Sequence, residues 1–370
     1  MAPVAYMQAG WGDLPPDLLA LIADDLPIKA YTRVRAVCTA WRAAIPAASP
    51  SLLVRDGDRR RVVSARWLCP SRSSTVLHQD LSSILSPTRP SRCVGSGHGW
   101  IAEAAAVAAA ATKVVFAPNP TWADFTAAVI TGGGRVVTFT NQGNGGWTVV
   151  ECPRLAEGDD IADVVYKGDG EGEKKKVVYC LTRSGDVHVL RLPAGRRRPS
   201  PASFEPLFDK ASCRVFHPAV AFAPPHDMIR ASTDSKNLVV CGDGHLYQIW
   251  RSDGVHILVL RYYPRRRPCW LPAKDLRGYS VFVGKNNNAV ALRVDDGGGA
   301  PGLRGNCVYW IDHCSDEAKV FDMETGKSAP CFPGVGAICW CHMQSSSRNT
   351  TSVAASAYQL QKGLVMRESA

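Results

Sequence analysis

The first apolar pattern in the chain is helical and lies near its beginning. Within residues 13–46, Leu18, Leu19, Ile22 and Leu26 recur at the spacing of one helix. Pro15 and Pro16 precede them in positions that suit a first helical turn, where a missing N–H costs nothing. Pro27 then interrupts the pattern.

A second apolar stripe follows Pro27. Val34, Val37, Cys38 and Trp41 stand at i, i+3, i+4 and i+7, which places them on one face of a helix. Pro46 and the Ser/Pro cluster after it end this helix. The resulting module of roughly 35–40 residues buries too little surface to be stable alone. It therefore needs a partner, either the rest of the chain or another protein.

From residue 95 onward the pattern changes to short apolar runs separated by Gly, Asp and Ser turns. Such runs at regular spacing predict a sandwich, barrel or propeller. The predicted strands lie at 147–152, 162–167, 176–182, 186–192, 237–241, 245–251, 255–263, 279–284, 289–294, 307–312 and 318–323.

A weak internal repeat favours the propeller. Three copies of strand, polar turn and second strand begin at Val177, Leu238 and Cys307. Hairpins that recur roughly 60–70 residues apart suit propeller blades. We therefore predict an α+β multidomain chain, with an all-α module at 13–50 and a β-propeller-like domain at 95–335.

Two further segments complete the predicted organisation. Residues 51–94, which include a stretch rich in Ser, Pro and Arg, are interpreted as a connection with the first strands. The tail at 343–370 is rich in Ser, Thr, Ala and Gln, so we expect disorder with a short helix near 358–365.

Composition places the chain among ordinary globular proteins. It has 370 residues, of which 46% are hydrophobic and 21% charged, too apolar for a wholly disordered chain. The apolar run at 104–111 is too short for a membrane span, and no basic segment followed by an apolar one suggests a secretory signal. The 13 cysteines are odd in number and scattered. They indicate reduced thiols and a location in the nucleus and/or cytoplasm.

The net charge of +10 raises the question of an anionic partner. The excess is concentrated in arginine triplets at 59–61, 196–198 and 265–267, and two of the triplets touch a proline. They are interpreted first as solvated loop tips. A nucleic-acid patch is the weaker interpretation, because such a patch usually interleaves aromatic residues along one element.

Candidate chemistry is sparse. No G-x-S-x-G elbow or comparable catalytic setting appears, so no catalytic residue is predicted. No glycine-rich stretch matches a nucleotide-binding motif, so no cofactor is expected. A structural zinc site is the alternative to buried strand thiols near the end of the chain, but the spacings fit no familiar knuckle. Its candidate ligands are Cys307, Cys314, Cys331, Cys339, Cys341 and His342.

The N-terminal module resembles an F-box. The pattern L-P-P-D-L-L followed by I, L-P and V-x-x-V-C-x-x-W-R carries the resemblance. The matching residues are Leu14, Pro15, Leu18, Leu19, Ile22, Leu26, Pro27, Val34, Val37, Cys38, Trp41 and Arg42. Where many F-boxes carry an acidic residue and a leucine, this chain has Lys29, Ala30 and Tyr31.

The remainder resembles the KIB-type β-propeller domain found in a large family of plant F-box proteins. The matching stretches are 95–100, 147–151, 163–168, 275–286, 301–312 and 320–327. The segment that usually follows the H-G-W motif is replaced here by an alanine-rich run at 101–112. The first blade is therefore expected to be incomplete or rebuilt.

The resemblance implies a substrate receptor of an SCF-type ubiquitin ligase. The F-box would dock on a Skp-type adaptor, and through it on a cullin, while the propeller holds an unknown target. The candidate adaptor-binding residues are the F-box positions from Leu14 to Trp41 named above. Neither a membrane nor a nucleic acid is the expected partner.

The target-binding surface is a looser prediction. Loops on one face of a rigid propeller usually carry function. The run Y-Y-P-R-R-R-P-C-W mixes aromatic and arginine residues, which are enriched at interface hot spots, and a basic face favours an acidic or phosphorylated target. The candidates are Arg196, Arg198, Tyr262, Arg265, Arg267 and Trp270.

Two alternatives stay open on the sequence. The chain could be a propeller scaffold without ligase activity, with a degenerate F-box folded onto its own propeller. It could also be a basic nucleic-acid-binding protein, which would show steeply salt-dependent binding.

Overall fold

The computed structural model describes most of the N-terminal helical module and the sheets that follow it. The described residues are 14–24, 26, 28–35, 37–45, 50–56, 59–64, 79–80, 91–97, 100–105, 112–117, 126–141, 147–152, 155–167, 177–192, 202–208, 221–230, 232–252, 256–284, 286–294, 303–312, 314–341, 358–359 and 364–368.

Three helices form the N-terminal module: α1 (Pro16–Asp24), α2 (Ile28–Arg35) and α3 (Thr39–Ala44). The prediction of one helix through the second apolar stripe is wrong. The chain leaves the helix after Arg35, and Cys38 becomes the N-cap of α3, its Sγ accepting the Trp41 N–H at 3.4 Å. A side-chain acceptor at an N-cap satisfies a donor that lacks a helical partner, so it favours a new helix at this point.

A fourth helix, α4 (His226–Ile229), lies further along the chain, in the part that otherwise forms strands. None of the helices in the described part of the chain has the length and hydropathy needed to cross a membrane.

The strands form six sheets. The first three consist of β1 (Ser51–Asp56), β2 (Arg59–Ser64), β3 (Gln79–Asp80) and β23 (Ala337–Cys341); of β4 (Ser91–Gly97), β5 (Trp100–Ala105), β24 (Tyr358–Gln359) and β25 (Leu364–Glu368); and of β6 (Lys113–Phe116), β7 (Thr126–Thr131), β8 (Val136–Asn141) and β9 (Thr148–Glu151).

The fourth and fifth sheets each use four consecutive strands, and the sixth uses five in the order β19-β18-β20-β21-β22. They consist of β10 (Ile161–Tyr166), β11 (Val177–Thr182), β12 (Val187–Arg191) and β13 (Ser203–Pro206); of β14 (Ser235–Val240), β15 (Leu246–Ser252), β16 (His256–Tyr262) and β17 (Trp270–Pro272); and of β18 (Tyr279–Val283), β19 (Val290–Arg293), β20 (Cys307–Ile311), β21 (Glu317–Asp322) and β22 (Lys327–Val335).

Neighbouring sheets touch through successive strands, which arranges them as a ring. Strand β4 contacts both β23 and β6; β6 contacts β10, β10 contacts β14, β14 contacts β19, and β20 contacts β23. A ring of small antiparallel sheets around a common centre is a β-propeller. The predicted fold class, a small helical module followed by an all-β propeller, is confirmed.

The first sheet closes the ring with strands from both ends of the domain. Strand β23 pairs antiparallel with β1, and the buried Leu52 lies opposite the buried Trp340. The propeller therefore begins at Ser51, and its closing strand extends to Cys341. The segment interpreted as a connection supplies the strands that meet the closing strand, so the 95–335 boundaries are too narrow.

The second sheet is completed by the C-terminal tail. Strand β25 pairs antiparallel with β5, Leu364 opposite Ala104 and Glu368 opposite Trp100, while β4 occupies the other edge of β5. The expected disorder and the helix near 358–365 are not found at these strands. Pairing satisfies backbone N–H and C=O groups that an open edge of β5 would leave bare. The second sheet, whose strand β5 contains the first residues of the alanine-rich run, thus has four strands.

The three repeated hairpins of the sequence are present as β11–β12, β14–β15 and β20–β21. They do not occupy equivalent places, since β14–β15 starts its sheet whereas β11–β12 is central in its own. Strand–turn–strand alternation is common to all antiparallel hairpins, so the repeat identified hairpins rather than blade boundaries.

A buried ion pair joins three neighbouring sheets of the ring. The Lys113 ammonium contacts the Asp163 carboxylate, and the two residues are only 4% and 1% exposed. The same carboxylate accepts the backbone N–H of Leu238 at 2.8 Å and that of Val164 at 2.7 Å. One carboxylate on β10 thus connects three strands. It contacts the Lys113 ammonium of β6 and accepts the Leu238 N–H of β14.

We expect Lys113→Met and Asp163→Asn each to lower the free energy of unfolding by about 3–5 kcal/mol, because each leaves one buried charge unpaired. The double variant keeps an acceptor for Leu238 and removes both charges, so it should be more stable than either single variant. Urea unfolding followed by tryptophan fluorescence measures the three values. If the loss of unfolding free energy in the double variant equals the sum of the losses in the two single variants, the pairing is contradicted.

Several cysteines are buried as protonated thiols in the sheets. Burial raises the pKa of Cys241 and Cys331 to about 12, and that of Cys152 and Cys269 to about 11. In the unfolded chain these thiols ionise near their ordinary pKa of 9.0. The unfolded state therefore releases protons first as the pH rises.

We expect the thiols to stabilise the fold fully below pH 9 and progressively less above it. Above pH 9, each thiol that stays protonated only in the folded state lowers the free energy of unfolding by about 1.4 kcal/mol per pH unit. This loss continues until the pH reaches the pKa of that thiol in the folded protein. The urea concentration at the midpoint of unfolding, measured at pH 8 and at pH 10.5, tests this expectation. Replacing Cys241 with Ala should reduce the difference between the two midpoints, and an unchanged difference would show that the thiol does not contribute.

Candidate functional site

The helical module has a small core of its own. Leu19, Ala23, Tyr31 and Ile45 are 1–3% exposed, and the half-buried side chains of Leu14, Leu26, Val34, Trp41 and Ala44 pack around them. Every member of this cluster comes from the module. The module therefore fills its interior without using the propeller.

Backbone and side-chain hydrogen bonds hold the three helices in this arrangement. The Pro15 carbonyl accepts the N–H groups of Leu18 and Leu19 at 3.1 Å, which begins α1. The Arg35 Nε donates to the Ile45 carbonyl at 3.0 Å and so joins the end of α2 to the end of α3. Burial lowers the pKa of Arg35 and raises that of Tyr31, which shows how closely the helices enclose these groups.

One face of the module is apolar and exposed. Leu18, Leu21 and Ile22 stand at i, i+3 and i+4 on α1, with exposed fractions of 48%, 64% and 51%. Val37, between α2 and α3, is 62% exposed. These four are the majority of the large hydrophobic residues that are exposed in the described part of the chain. We call Leu18, Leu21 and Ile22 the α1 face.

The predicted adaptor-binding residues divide into three groups. Leu18 and Ile22 lie on the α1 face, Pro15 is exposed just before it, and Val37 is exposed between α2 and α3. The prediction is wrong for Leu19, which is 3% exposed inside the core. Those that pack around the core or cap a helix are Leu14, Leu26, Val34, Cys38 and Trp41. Pro27 lies outside the described residues.

Leu21 is a member of the α1 face that is not among the predicted adaptor-binding residues. Leu18, Leu21 and Ile22 have the i, i+3, i+4 spacing of a helical stripe, so the periodicity of the sequence does contain this face. Two overlapping stripes run along α1, and periodicity alone does not say which of them faces the module's own core.

We expect Leu19→Ala to destabilise the module by about 2–5 kcal/mol, as large-to-small core substitutions do. Leu18→Ala, the matched control on the exposed face, should change stability by less than about 0.5 kcal/mol. Hydrogen exchange of α1 in the full-length chain measures the difference. Equal acceleration of exchange in the two variants would contradict the assignment of core and surface.

On the propeller, Trp270 is not available to a target. It is 2% exposed and belongs to the core of the fifth sheet, its ring 6.4 Å from that of Phe222. The half-buried Tyr262 packs against it with ring centroids 5.1 Å apart. Trp270 as a target contact is therefore wrong, because its side chain packs in the buried cluster that the fourth and fifth sheets share.

The arginine triplet of the loop at 263–269 is exposed, as expected. The Arg267 guanidinium lies 4.7 Å from the Phe208 ring centroid and donates to the Pro264 carbonyl at 3.1 Å. Arg266 lies 5.1 Å from the Tyr263 ring centroid. The loop thus presents ordered basic side chains at one end of the fifth sheet. Arg196 and Arg198 lie outside the described residues.

The cysteines considered for zinc do not converge among the described residues, where no group of three His, Cys, Asp or Glu side chains could hold a metal ion. Cys307 and Cys331 belong to the core of the sixth sheet, whereas Cys314 is exposed. Of Cys341 and His342 the structure describes no side chain.

Two family models match the chain. The F-box domain model matches residues 11–47, and the KIB1-4 β-propeller model matches residues 104–326, more than half of the chain. The chain belongs to the KIB1-4 β-propeller family. In this KIB1-4 protein the family match covers five of the six sheets wholly or in part. F-box and propeller domains are typically non-catalytic interaction domains, and F-boxes generally bind Skp-type adaptors.

Solved structures resemble this KIB1-4 protein only distantly. The β-propeller domain of Cps50 (Swd1) from Myceliophteria thermophila is 10% identical, with 87% of this chain and 96% of that chain covered and a TM-score of 0.33. A functionally unknown protein from Desulfotomaculum acetoxidans DSM 771 is 11% identical, with 80% and 100% covered and a TM-score of 0.36. No curated protein matches the chain.

Proposed function

We propose that this protein is the substrate-recognition subunit of an SCF-type ubiquitin ligase. The F-box docks on a Skp-type adaptor, which links it to a cullin, and the propeller binds the target protein. The chain itself performs no chemistry. It acts by proximity, because holding a target beside the conjugating machinery raises the effective concentration of its lysines.

The α1 face is the observation that carries this proposal. The module's interior is filled by its own side chains, and yet three large aliphatic residues on α1 are about half exposed or more. Covering such a face gains roughly 25 cal/mol for each Å² of apolar surface removed from water. Together with the F-box match, this favours a Skp-type adaptor as its occupant.

The same observation weakens the alternative of a scaffold whose degenerate F-box folds onto its own propeller. That arrangement would bury Leu18, Leu21 and Ile22 against the sheets. They are instead 48–64% exposed, and the packed core of the module contains no propeller residue.

The target is proposed to bind at the end of the propeller that carries the 263–269 loop. Its exposed arginines are ordered by contacts with Phe208 and Tyr263, so they present positive charge at little further entropic cost. We propose that the protein works in the nucleus and/or cytoplasm.

The decisive test is capture of a Skp-type adaptor by the full-length chain. We expect Leu18→Asp combined with Ile22→Asp to abolish capture, because a buried, unpaired carboxylate costs several kcal/mol at an apolar interface. Met228→Asp is a matched control, since Met228 is an exposed apolar residue of the propeller at 77%.

The control should bind the adaptor like the unchanged chain, and the double variant should keep the same melting temperature. Failure of the unchanged chain to bind a Skp-type adaptor would overturn the proposal. So would equal capture by the double variant.

A further inference from the structure

Three loops meet at one end of the fifth sheet. The turn between β14 and β15 (241–245) and the loop between β16 and β17 (263–269) lie at the same end, because alternate connections of an antiparallel sheet share an edge. The residues that precede β18 (275–278) reach the same place, where the Arg277 Nε lies 3.5 Å from an Asp243 carboxylate oxygen.

Two guanidinium groups converge on one histidine at this end. The Arg261 Nη2 lies 2.6 Å from the His245 Nε2, and the Arg277 Nη1 lies 3.3 Å from the same atom. Guanidinium groups only donate hydrogen bonds, so the Nε2 must accept and the imidazole must be neutral. Burial lowers the pKa of His245, and the two arginines lower it further against the opposing effect of the Asp243 carboxylate.

The cluster has more donors than acceptors. The single lone pair of the His245 Nε2 faces both guanidiniums, and the Asp243 carboxylate lies 3.7 Å from that nitrogen. The buried Nε of Arg261 and the buried hydroxyl of Tyr247 have no hydrogen-bond partner among the described residues. Tyr247 is 0% exposed and lies directly opposite Arg261 in the β15–β16 ladder. Buried polar groups usually have partners, so an additional acceptor is missing here.

The backbone that carries Arg277 is held in a costly conformation. Its φ of +56° lies in the left-handed region, which a residue with a Cβ rarely adopts. The Asn306 Oδ1 fixes the turn by accepting the N–H of Leu276 at 3.0 Å and that of Gly278 at 2.9 Å. Such strain persists where the surrounding structure over-determines it, often at ligand-binding sites. Asn306 is thus a positioning residue for Arg277.

Aromatic contacts fix Arg261 in the same way. Its guanidinium lies 5.0 Å from the Tyr263 ring centroid, and Arg266 lies 5.1 Å from the same ring. Cation–π contacts at this distance restrict the arginine before any ligand arrives. Arg277, with 52% of its side chain exposed, and His245, with 33%, leave the cluster open to solvent.

We propose that Arg261 and Arg277 form a binding site for a phosphorylated side chain of the target protein. A phosphomonoester carries nearly two negative charges and three acceptor oxygens. It would supply the acceptors that the cluster lacks. The site rests on the proposed function for its role in target recognition.

The size of the site favours one phosphate on a peptide over a nucleic acid. Its two guanidiniums share a single acceptor atom, so they meet at one point, whereas nucleic acids are bound by charges spaced along a backbone. The carboxylate of Asp243 lies beside Arg277 and opposes any anion. A dianion overcomes this repulsion better than a single carboxylate.

The test uses the full-length chain and fluorescent peptide pools with random residues around a central phosphoserine, serine or glutamate. We expect the phosphoserine pool to bind more tightly than the other two. Arg261→Met and Arg277→Ala should each weaken its binding roughly tenfold or more, the usual loss for one charge-assisted hydrogen bond. Arg183→Ala is the matched control, because Arg183 is an exposed arginine on the fourth sheet. Its binding should be unchanged.

Competition distinguishes the possible sources of the phosphate. Inorganic phosphate should displace the phosphoserine pool only at far higher concentration than the unlabelled pool does. Equal potency of inorganic phosphate, equal binding of the serine pool, or unchanged binding in both arginine variants would overturn the proposal. Equally strong, arginine-dependent displacement by a single-stranded RNA would overturn it in favour of nucleic acid.

The same preparations separate this inference from the proposed function. Leu18→Asp with Ile22→Asp should lose adaptor capture and keep phosphoserine binding, while Arg277→Ala should do the reverse. If the unchanged chain captures the adaptor but does not prefer the phosphoserine pool, the anion site is refuted and the ligase assignment is not. Phosphoserine binding without adaptor capture in the unchanged chain would refute the ligase assignment alone.

Discussion

The architecture depends on antiparallel pairing between β1 and β23, strands that lie almost three hundred residues apart in sequence. Until these strands meet, the first sheet has an open edge and the ring has two ends. Leu52 and Trp340, opposite each other in this pairing and both fully buried, show that closure also completes an apolar core. Within the ring, the Lys113–Asp163 pair connects three further sheets. The loops at each end are consequently held on a rigid support, which is what a binding surface made of loops requires.

The helical module obeys the opposite constraint. It is too small to bury all of its apolar residues, and its own core uses only one side of α1. Leu19 and Ala23 point inward, so Leu18, Leu21 and Ile22 necessarily point outward. A chain with a closed, rigid propeller and a small module that leaves an apolar face uncovered is suited to joining two other proteins. The proposed adaptor and target bind at different parts of the chain, so they need not compete.

Much of this organisation could be predicted from the sequence, and the failures have physical causes. The strand pattern and the F-box motif were sufficient for the fold class, since both depend on local periodicity. Ring closure by β23 and completion of the second sheet by β25 depend on pairing across most of the chain, which no local pattern reveals. The burial of Trp270 follows from its packing in a cluster that the fourth and fifth sheets share. The site at Arg261 and Arg277 combines a residue of β16 with a residue of the loop before β18, so only the tertiary structure brings it together.

The most direct measurement of the central claim is covalent footprinting of aliphatic side chains in the full-length chain, with and without a Skp-type adaptor. In the free chain, Leu18, Leu21 and Ile22 should be labelled heavily and Leu19 hardly at all. Addition of the adaptor should protect the first three and leave the exposed Met228 as reactive as before. If Leu18 and Ile22 are as unreactive as Leu19 in the free chain, the α1 face is already covered and the role proposed for it is wrong.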